Sequence, residues 1–184
     1  MSDTRETLRD QGFEPSLHAR WYLDENHYAR EREDIFSREW LCVAREEDLS
    51  KPGDHRIFDL QGQSVLLVRN GEGQLRAFYN VCRHRGAQLC AVADDPHGAV
   101  LRGGVLGGRL IRCPYHAWTY DLDGRLVNAP FMDEQEGFEA GDIALHPVGV
   151  ACWGGFVFLN LQPEGAPDFS AHIAGVDQRL IRYG

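Results

Sequence analysis

The chain has 184 residues, 43% apolar and 26% charged, the balance of a folded domain and not of a disordered segment. Its 19 Lys and Arg stand against 28 Asp and Glu, a formal net charge of -9, which repels phosphates and excludes a basic nucleic-acid groove. No run of 18 apolar residues offers a membrane span, and Met1 to Asp10 lacks the apolar stretch of a secretory leader, so a cytoplasmic setting with reduced thiols is expected.

In chain order, residues 1–39 read as a helical extension. Asp24 is placed to cap a helix from about Glu25 to Arg38. Tyr28, Ile35 and Phe36, at i, i+7 and i+8, would form an apolar stripe that covers a sheet or serves as a subunit-contact arm. From Trp40 onward the pattern is of short strands: Leu41–Ala44, Arg56–Leu60, Ser64–Arg69, Leu75–Asn80, Leu110–Arg112, Ala117–Asp121, Arg125–Asn128, His146–Trp153 and Phe156–Leu161. Turn signals at Lys51-Pro52-Gly53, Gln61-Gly62, Asn70-Gly71-Glu72-Gly73, Asp123-Gly124 and Gly154-Gly155 bound them. The Gly103–Gly108 stretch reads as a loop or hairpin tip. Many short strands without βαβ alternation predict a mainly β fold over residues 40–162, an antiparallel sandwich or small barrels carrying hairpin loops. The tail, 163–184, is polar, carries Pro163 and Pro167, and allows a short helix from about Ala171 to Arg182.

The five cysteines are Cys42, Cys82, Cys90, Cys113 and Cys152, an odd number that argues against a disulfide framework. Two of them sit beside histidines, in Cys82-Arg83-His84 and Cys113-Pro114-Tyr115-His116. Each pair puts a thiolate and an imidazole on one tight loop, and both loops can face one metal centre. A cluster of two irons and two sulfides needs four protein ligands, and two thiolates on one iron with two imidazoles on the other use both pairs fully. Neutral imidazole makes the iron that it binds easier to reduce than in an all-cysteine cluster.

The segments Tyr79-Asn80-Val81-Cys82-Arg83-His84-Arg85-Gly86-Ala87-Gln88-Leu89-Cys90 and Cys113-Pro114-Tyr115-His116-Ala117-Trp118-Thr119-Tyr120-Asp121-Leu122-Asp123-Gly124 resemble the Rieske motif of the α subunits of ring-hydroxylating Rieske non-haem iron oxygenases. The resemblance implies a Rieske-type 2Fe-2S cluster on Cys82, His84, Cys113 and His116, shielded by Tyr115 and Trp118, with His116 as the electron exit. Two departures stand out. The family usually has glycine where this chain has Ala117, and the segment between His84 and Cys113 is long, its extra residues expected in an Asp94–Gly108 surface loop. Respiratory Rieske proteins place disulfide cysteines where Ala87 and Tyr115 stand here, and a serine where Ala117 and Trp118 stand. Fewer hydrogen bonds to sulfur imply a potential near the lower end of the Rieske range.

Other readings are weighed against this one. A zinc module with Cys2His2 ligands is disfavoured, because such sites group Cys with Cys and His with His. Cys42, Cys90 and Cys152 read as core thiols. His18, His27, His55, His97, His146 and His172 show no ligand spacing, and no two histidines lie four or five positions apart as a mononuclear iron site on a helix needs. Arg83, Arg85, Arg102, Arg109 and Arg112 could form a positive rim that docks an acidic donor or a neighbouring subunit.

The resemblance implies that electrons arrive from a ferredoxin or flavin reductase. It implies that they leave for a mononuclear Fe(II) site in a catalytic domain of the same or a neighbouring α subunit, in a possible homotrimer. The chain lacks that iron site. It is expected to be an oxidoreductase component that transfers electrons only, within monooxygenases or dioxygenases such as those of aromatic hydrocarbon catabolism. A free-standing Rieske ferredoxin is the alternative carrier reading, and a non-redox zinc module the second alternative.

Overall fold

The computed structural model describes residues 12, 16–90, 104–106, 109–132, 137–176 and 179. Among the described residues, ten strands lie in two antiparallel sheets. The larger holds six, in the order β1 (Leu41–Arg45), β10 (Phe156–Asn160), β9 (Pro147–Trp153), β4 (Leu75–Tyr79), β3 (Gln63–Arg69) and β2 (His55–Leu60). The smaller holds β5 (Gly104–Leu106), β6 (Leu110–Arg112), β7 (Thr119–Asp121) and β8 (Leu126–Asn128).

Period-two alternation explains how the sheets pack. Val65 and Leu67 of β3 join Ala44, Phe58, Ala77, Val148, Val157 and Leu159 in one apolar cluster. Residues from all six strands meet there, so the larger sheet curls round a single core and is barrel-like. The alternate residues of the same region, Leu66, Val68 and Phe78, face the other way. They join Ile111, Trp118, Tyr120, Leu122, Leu126 and Leu145 in a second core under the smaller sheet. Strand β3 is buried on both faces, which is why Val65-Leu66-Leu67-Val68 is unbroken apolar sequence. The second core also contains Cys82, Cys90 and Cys113, so the ligand loops grow directly from packed side chains.

The mainly β fold agrees with the sequence reading, and the strand positions differ by a residue or two at the ends. Strand β5 is not among the expected elements. Gly104–Leu106 lies within the expected Asp94–Gly108 surface loop but pairs with β6 through Val105 and Ile111, so cross-strand pairing overrides weak local propensity. Residues 94–103 lie outside the described residues.

Helices are short: α1 (Arg20–Leu23), α2 (Glu25–Glu31) and α3 (Phe169–His172). Asp24 caps α2 as expected, its carboxylate accepting from the Asn26 N–H at 2.8 Å and the His27 N–H at 3.2 Å. The helix then widens into a π-helical turn over Arg32–Phe36, where Arg32 reaches the Gln61 side chain at 2.9 Å in the β2–β3 turn. The apolar stripe does not cover a sheet. Tyr28 and Ile35 remain exposed and the helices bury no residue, because the contact to the sheet is the polar Arg32–Gln61 link.

The C-terminal helix differs from expectation as well. It starts earlier, at Phe169, because Asp168 caps it and Phe169 packs on Trp40 and Phe158 with ring centres 5.2 and 5.1 Å away. A turn over residues 173–175, with Gly175 at φ 81°, interrupts it before Val176 and Arg179 are helical again. Cys42 and Cys152, expected in the core, are exposed. Both lie in β1 and β9 near the sheet's margin, where apolar neighbours in sequence do not guarantee cover. Cys90 is buried as expected, and burial pushes its thiol up to about 12.

Candidate metal centre

The two ligand loops are built on the same backbone pattern. In the first, the Cys82 N–H donates to the Ala87 carbonyl at 2.8 Å and the Gly86 N–H returns to the Cys82 carbonyl at 3.0 Å. In the second, the Cys113 N–H donates to the Trp118 carbonyl at 2.8 Å and the Ala117 N–H returns to the Cys113 carbonyl at 3.2 Å. Each cysteine thus opens a ring closed five residues on. The residue four positions after it turns the chain through positive φ: Gly86 at 69° and Ala117 at 59°. Glycine accepts that conformation freely, and alanine carries about 1 kcal/mol of strain there. The usual glycine at the Ala117 position is thereby explained. Ala117→Gly is expected to stabilise the chain by ~1 kcal/mol and raise the melting temperature by about 3 °C, read by thermal unfolding.

The first loop is closed further by Asn80, which is buried. Its amide donates to the Cys90 carbonyl at 2.7 Å and accepts from the Cys90 N–H at 2.9 Å.

The structure pairs the expected donors two by two, cysteine with cysteine and histidine with histidine. Cys82 and Cys113 are both buried, and Cys82 lies close enough to push the Cys113 thiol up. The rings of His84 and His116 lie with centres 4.7 Å apart. Trp118 stacks on His84 at 4.7 Å and 7° between planes, and Tyr115 lies 3.7 Å from His116 while remaining 61% exposed. The Nδ1 atoms of His84 and His116 are the only buried side-chain polar atoms among the described residues without a hydrogen-bond partner. An unpaired buried polar atom costs about 1–3 kcal/mol, so two of them on rings 4.7 Å apart call for a bound group. Burial, then His116 and Arg85, holds the His84 ring below its ordinary range, which keeps it neutral with a free lone pair. Burial pushes the Cys113 thiol up, and the N–H groups of Tyr115 and His116 pull it the other way. These residues could hold a two-metal centre through two sulfurs and two nitrogens. Among the described residues no three His, Cys, Asp or Glu gather round one point, as a single zinc ion would require.

One residue escapes the sequence reading. The Tyr120 hydroxyl lies 3.3 Å from the Cys82 sulfur and accepts the Arg83 N–H at 3.1 Å, which leaves its proton for the sulfur. Burial, and then the Cys82 thiol, raises the Tyr120 hydroxyl well above the phenol range, so it stays protonated. The expectation of few hydrogen bonds to sulfur, drawn from Ala117 and Trp118, omits this one. Tyr120→Phe is expected to lower the reduction potential of the loaded chain by about 60 mV, equivalent to ~1.4 kcal/mol for one electron, measured by redox titration.

Arg83, Arg85, Arg109 and Arg112 flank the loops, all exposed and none paired with a carboxylate among the described residues; Arg102 lies outside them. Arg83 touches the His146 ring. No described helix is long and apolar enough to cross a membrane.

Two loops of this form, each offering one cysteine and one histidine beside a curled antiparallel sheet, suit an iron–sulfur electron-transfer domain. Residues 39–150 match the Rieske [2Fe-2S] domain family, and the chain belongs to it. Its relatives are oxygenase subunits: the carnitine monooxygenase oxygenase subunit of Escherichia coli K12 is 38% identical over 90% of this chain and 41% of that protein. The glycine betaine monooxygenase oxygenase subunit of Chromohalobacter salexigens is 37% identical over 98% of this chain and 38% of that protein. Among solved structures, the apo form of the quaternary ammonium Rieske monooxygenase CntA matches with a TM-score of 0.76 at 32% identity, over 91% of this chain and 45% of that one. The chain therefore spans about two fifths of the length of the curated relatives it matches. Aromatic-ring enzymes are only one branch of this company. The α subunit of chlorobenzene dioxygenase from Cupriavidus is 34% identical, below the two monooxygenases. The chain is a Rieske [2Fe-2S] domain, similar over most of its length to part of these oxygenase subunits.

Proposed function

We propose that Cys82 and Cys113 hold one iron of the cluster and His84 and His116 the other, and that the domain passes single electrons through them. The observation that carries this reading is the pair of buried, unpartnered Nδ1 atoms on loops that also carry two buried cysteines. When bound, the cluster supplies a one-electron couple with a potential of about -150 to +300 mV. Cys82, Cys113 and Tyr120 set the charge that the sulfurs carry. Trp118 and Tyr115 keep water from the imidazoles. The arginines beside the loops attract an acidic donor, a ferredoxin or flavin reductase, against the chain's own net charge of -9.

His116 is the exit, toward a mononuclear Fe(II) in the catalytic domain of a neighbouring subunit. A solved CntA structure is described as revealing inter-subunit electron transfer, which supports this direction. We place the electron-transfer unit at residues 40–162, with 1–39 and 163–184 as flanking segments, in a cytoplasmic and trimeric whole protein. Visible and EPR spectra of the purified chain, before and after dithionite, test the reading. A red-brown protein that gains an EPR signal with average g below 2.0 on reduction is expected. A colourless protein with stoichiometric zinc would overturn it.

A further inference from the structure

Arg83 stands in the chain between two proposed ligands, Cys82 and His84, and is exposed. An exposed arginine spreads over many rotamers, so ordering it for a partner costs conformational entropy. Here both of its ends are already held. The Arg83 N–H donates to the Tyr120 hydroxyl at 3.1 Å. Its guanidinium Nη1 donates to Nε2 of the His146 ring. The histidine is the acceptor, since a guanidinium carries donors only. The backbone of His146 is fixed in turn. Its carbonyl accepts the Tyr79 N–H at 3.0 Å, Leu145 before it is buried in the second core, and Pro147 after it pairs with Phe78 in the larger sheet.

Only Nη1 is engaged. The edge formed by Nε and Nη2 of Arg83 has no protein partner among the described residues. That edge is the fork that takes a carboxylate through two parallel hydrogen bonds. Glu164 lines the cleft beside His146, yet it makes no ion pair with His146 or with Arg83.

We infer that His146 is a positioning residue for electron entry: it holds Arg83 in one orientation and leaves the free edge to a carboxylate of an acidic electron-donor protein. The inference rests on the reading of the loop arginines as the ground that attracts that donor. One electron passes to the domain at each encounter, with no bond made or broken. An arginine ordered beforehand takes its entropy cost out of the encounter. Its place decides what it serves. A carboxylate gripped by Arg83 brings its carrier against the first ligand loop. His146 lines a cleft with Tyr79, Pro147 and Gln162, and that cleft shares no residue with the one at His116, lined by Pro114, Tyr115 and Phe131. A donor seated at Arg83 therefore leaves the proposed exit uncovered.

The test uses the full-length oxygenase carrying His146→Leu, His146→Gln or Arg83→Gln, with an acidic 2Fe-2S ferredoxin as the probe. Leucine keeps the bulk and removes the acceptor, and glutamine restores an acceptor in its place. Titration calorimetry at low salt reads binding of the oxidised ferredoxin, stopped-flow absorbance reads reduction by the reduced form, and redox titration reads the potential. His146→Leu is expected to weaken binding and slow second-order reduction, each about threefold to tenfold, with spectrum and potential unchanged. His146→Gln is expected to return both to within about twofold of wild type. Adding His146→Leu to Arg83→Gln is expected to cause no further loss, since the histidine acts only through the arginine. Wild-type binding in His146→Leu overturns the inference. So does a glutamine variant as weak as the leucine one, or a further loss in the double variant. A lost spectrum or a shifted potential in His146→Leu overturns it too, because the residue would then support the metal centre and not docking. A wild-type oxygenase whose ferredoxin binding is absent or indifferent to salt would overturn the donor reading itself, so the two failures are distinct.

Discussion

His84→Ala and His116→Ala are each expected to abolish the visible absorbance and the reduced-state EPR signal of the purified chain. In the proposed assignment each histidine supplies half of the protein's hold on one iron, through its buried, unpartnered Nδ1, and the ring that remains has no second such nitrogen to offer. Alanine also removes a ring from a tight set. His84 lies between Trp118 and His116, each 4.7 Å away between ring centres, so water would reach the sulfurs through the gap. Iron and acid-labile sulfide per chain give the measurement, with a loss of tenfold or more expected. His146→Ala is the matched control. His146 touches Arg83, next to a ligand, but faces no donor of the set, so that variant should keep its full iron content. A His84→Ala chain with unchanged iron would sink the ligand assignment.

Gly124→Ala is expected to destabilise the chain by ~3 kcal/mol and lower its melting temperature by about 10 °C. An added Cβ would lie 2.5 and 2.8 Å from the Phe78 ring, and the residue sits at φ 85°. Phe78 cannot swing away, since it is buried between the two sheets. The turn cannot move either. Asp123 is bound to Asn70 at 2.8 Å and to Arg76 at 2.9 Å, and the Leu145 N–H holds the Gly124 carbonyl at 2.8 Å. The turn between β7 and β8 thus locks the ligand-bearing sheet onto β4. Thermal unfolding of the chain before cluster loading reads the cost directly. A change under 1 kcal/mol would show that the small sheet shifts freely on the large one.

The four proposed donors stand out in the sequence because each pair lies within one short loop, where spacing alone sets geometry. The nine strands read from alternation and turn residues are legible for a similar reason. Asp123-Gly124 reads as a hairpin turn, but its contact with Phe78 joins residues far apart in the chain and leaves no local mark. The same holds for Tyr120 and Cys82: the tyrosine looks like a core residue until the fold brings its hydroxyl to the sulfur. Strand β5 escapes because glycine-rich sequence has no strand propensity of its own, and Val105 is held by Ile111. Sequence misplaces Cys42 and Cys152 because apolar neighbours along a strand do not say whether anything lies over that part of the sheet.

The paired closed rings of the ligand loops have a kinetic consequence. All four donors hang from backbone that is bonded back on itself within five residues, and both cysteines are packed into the core. Ligands so tethered have little freedom to shift when the charge of the centre changes by one. If the proposed cluster is held there, the nuclear rearrangement that accompanies each electron would be small, and the rate of passage would be governed by how closely the next carrier approaches the proposed exit at His116.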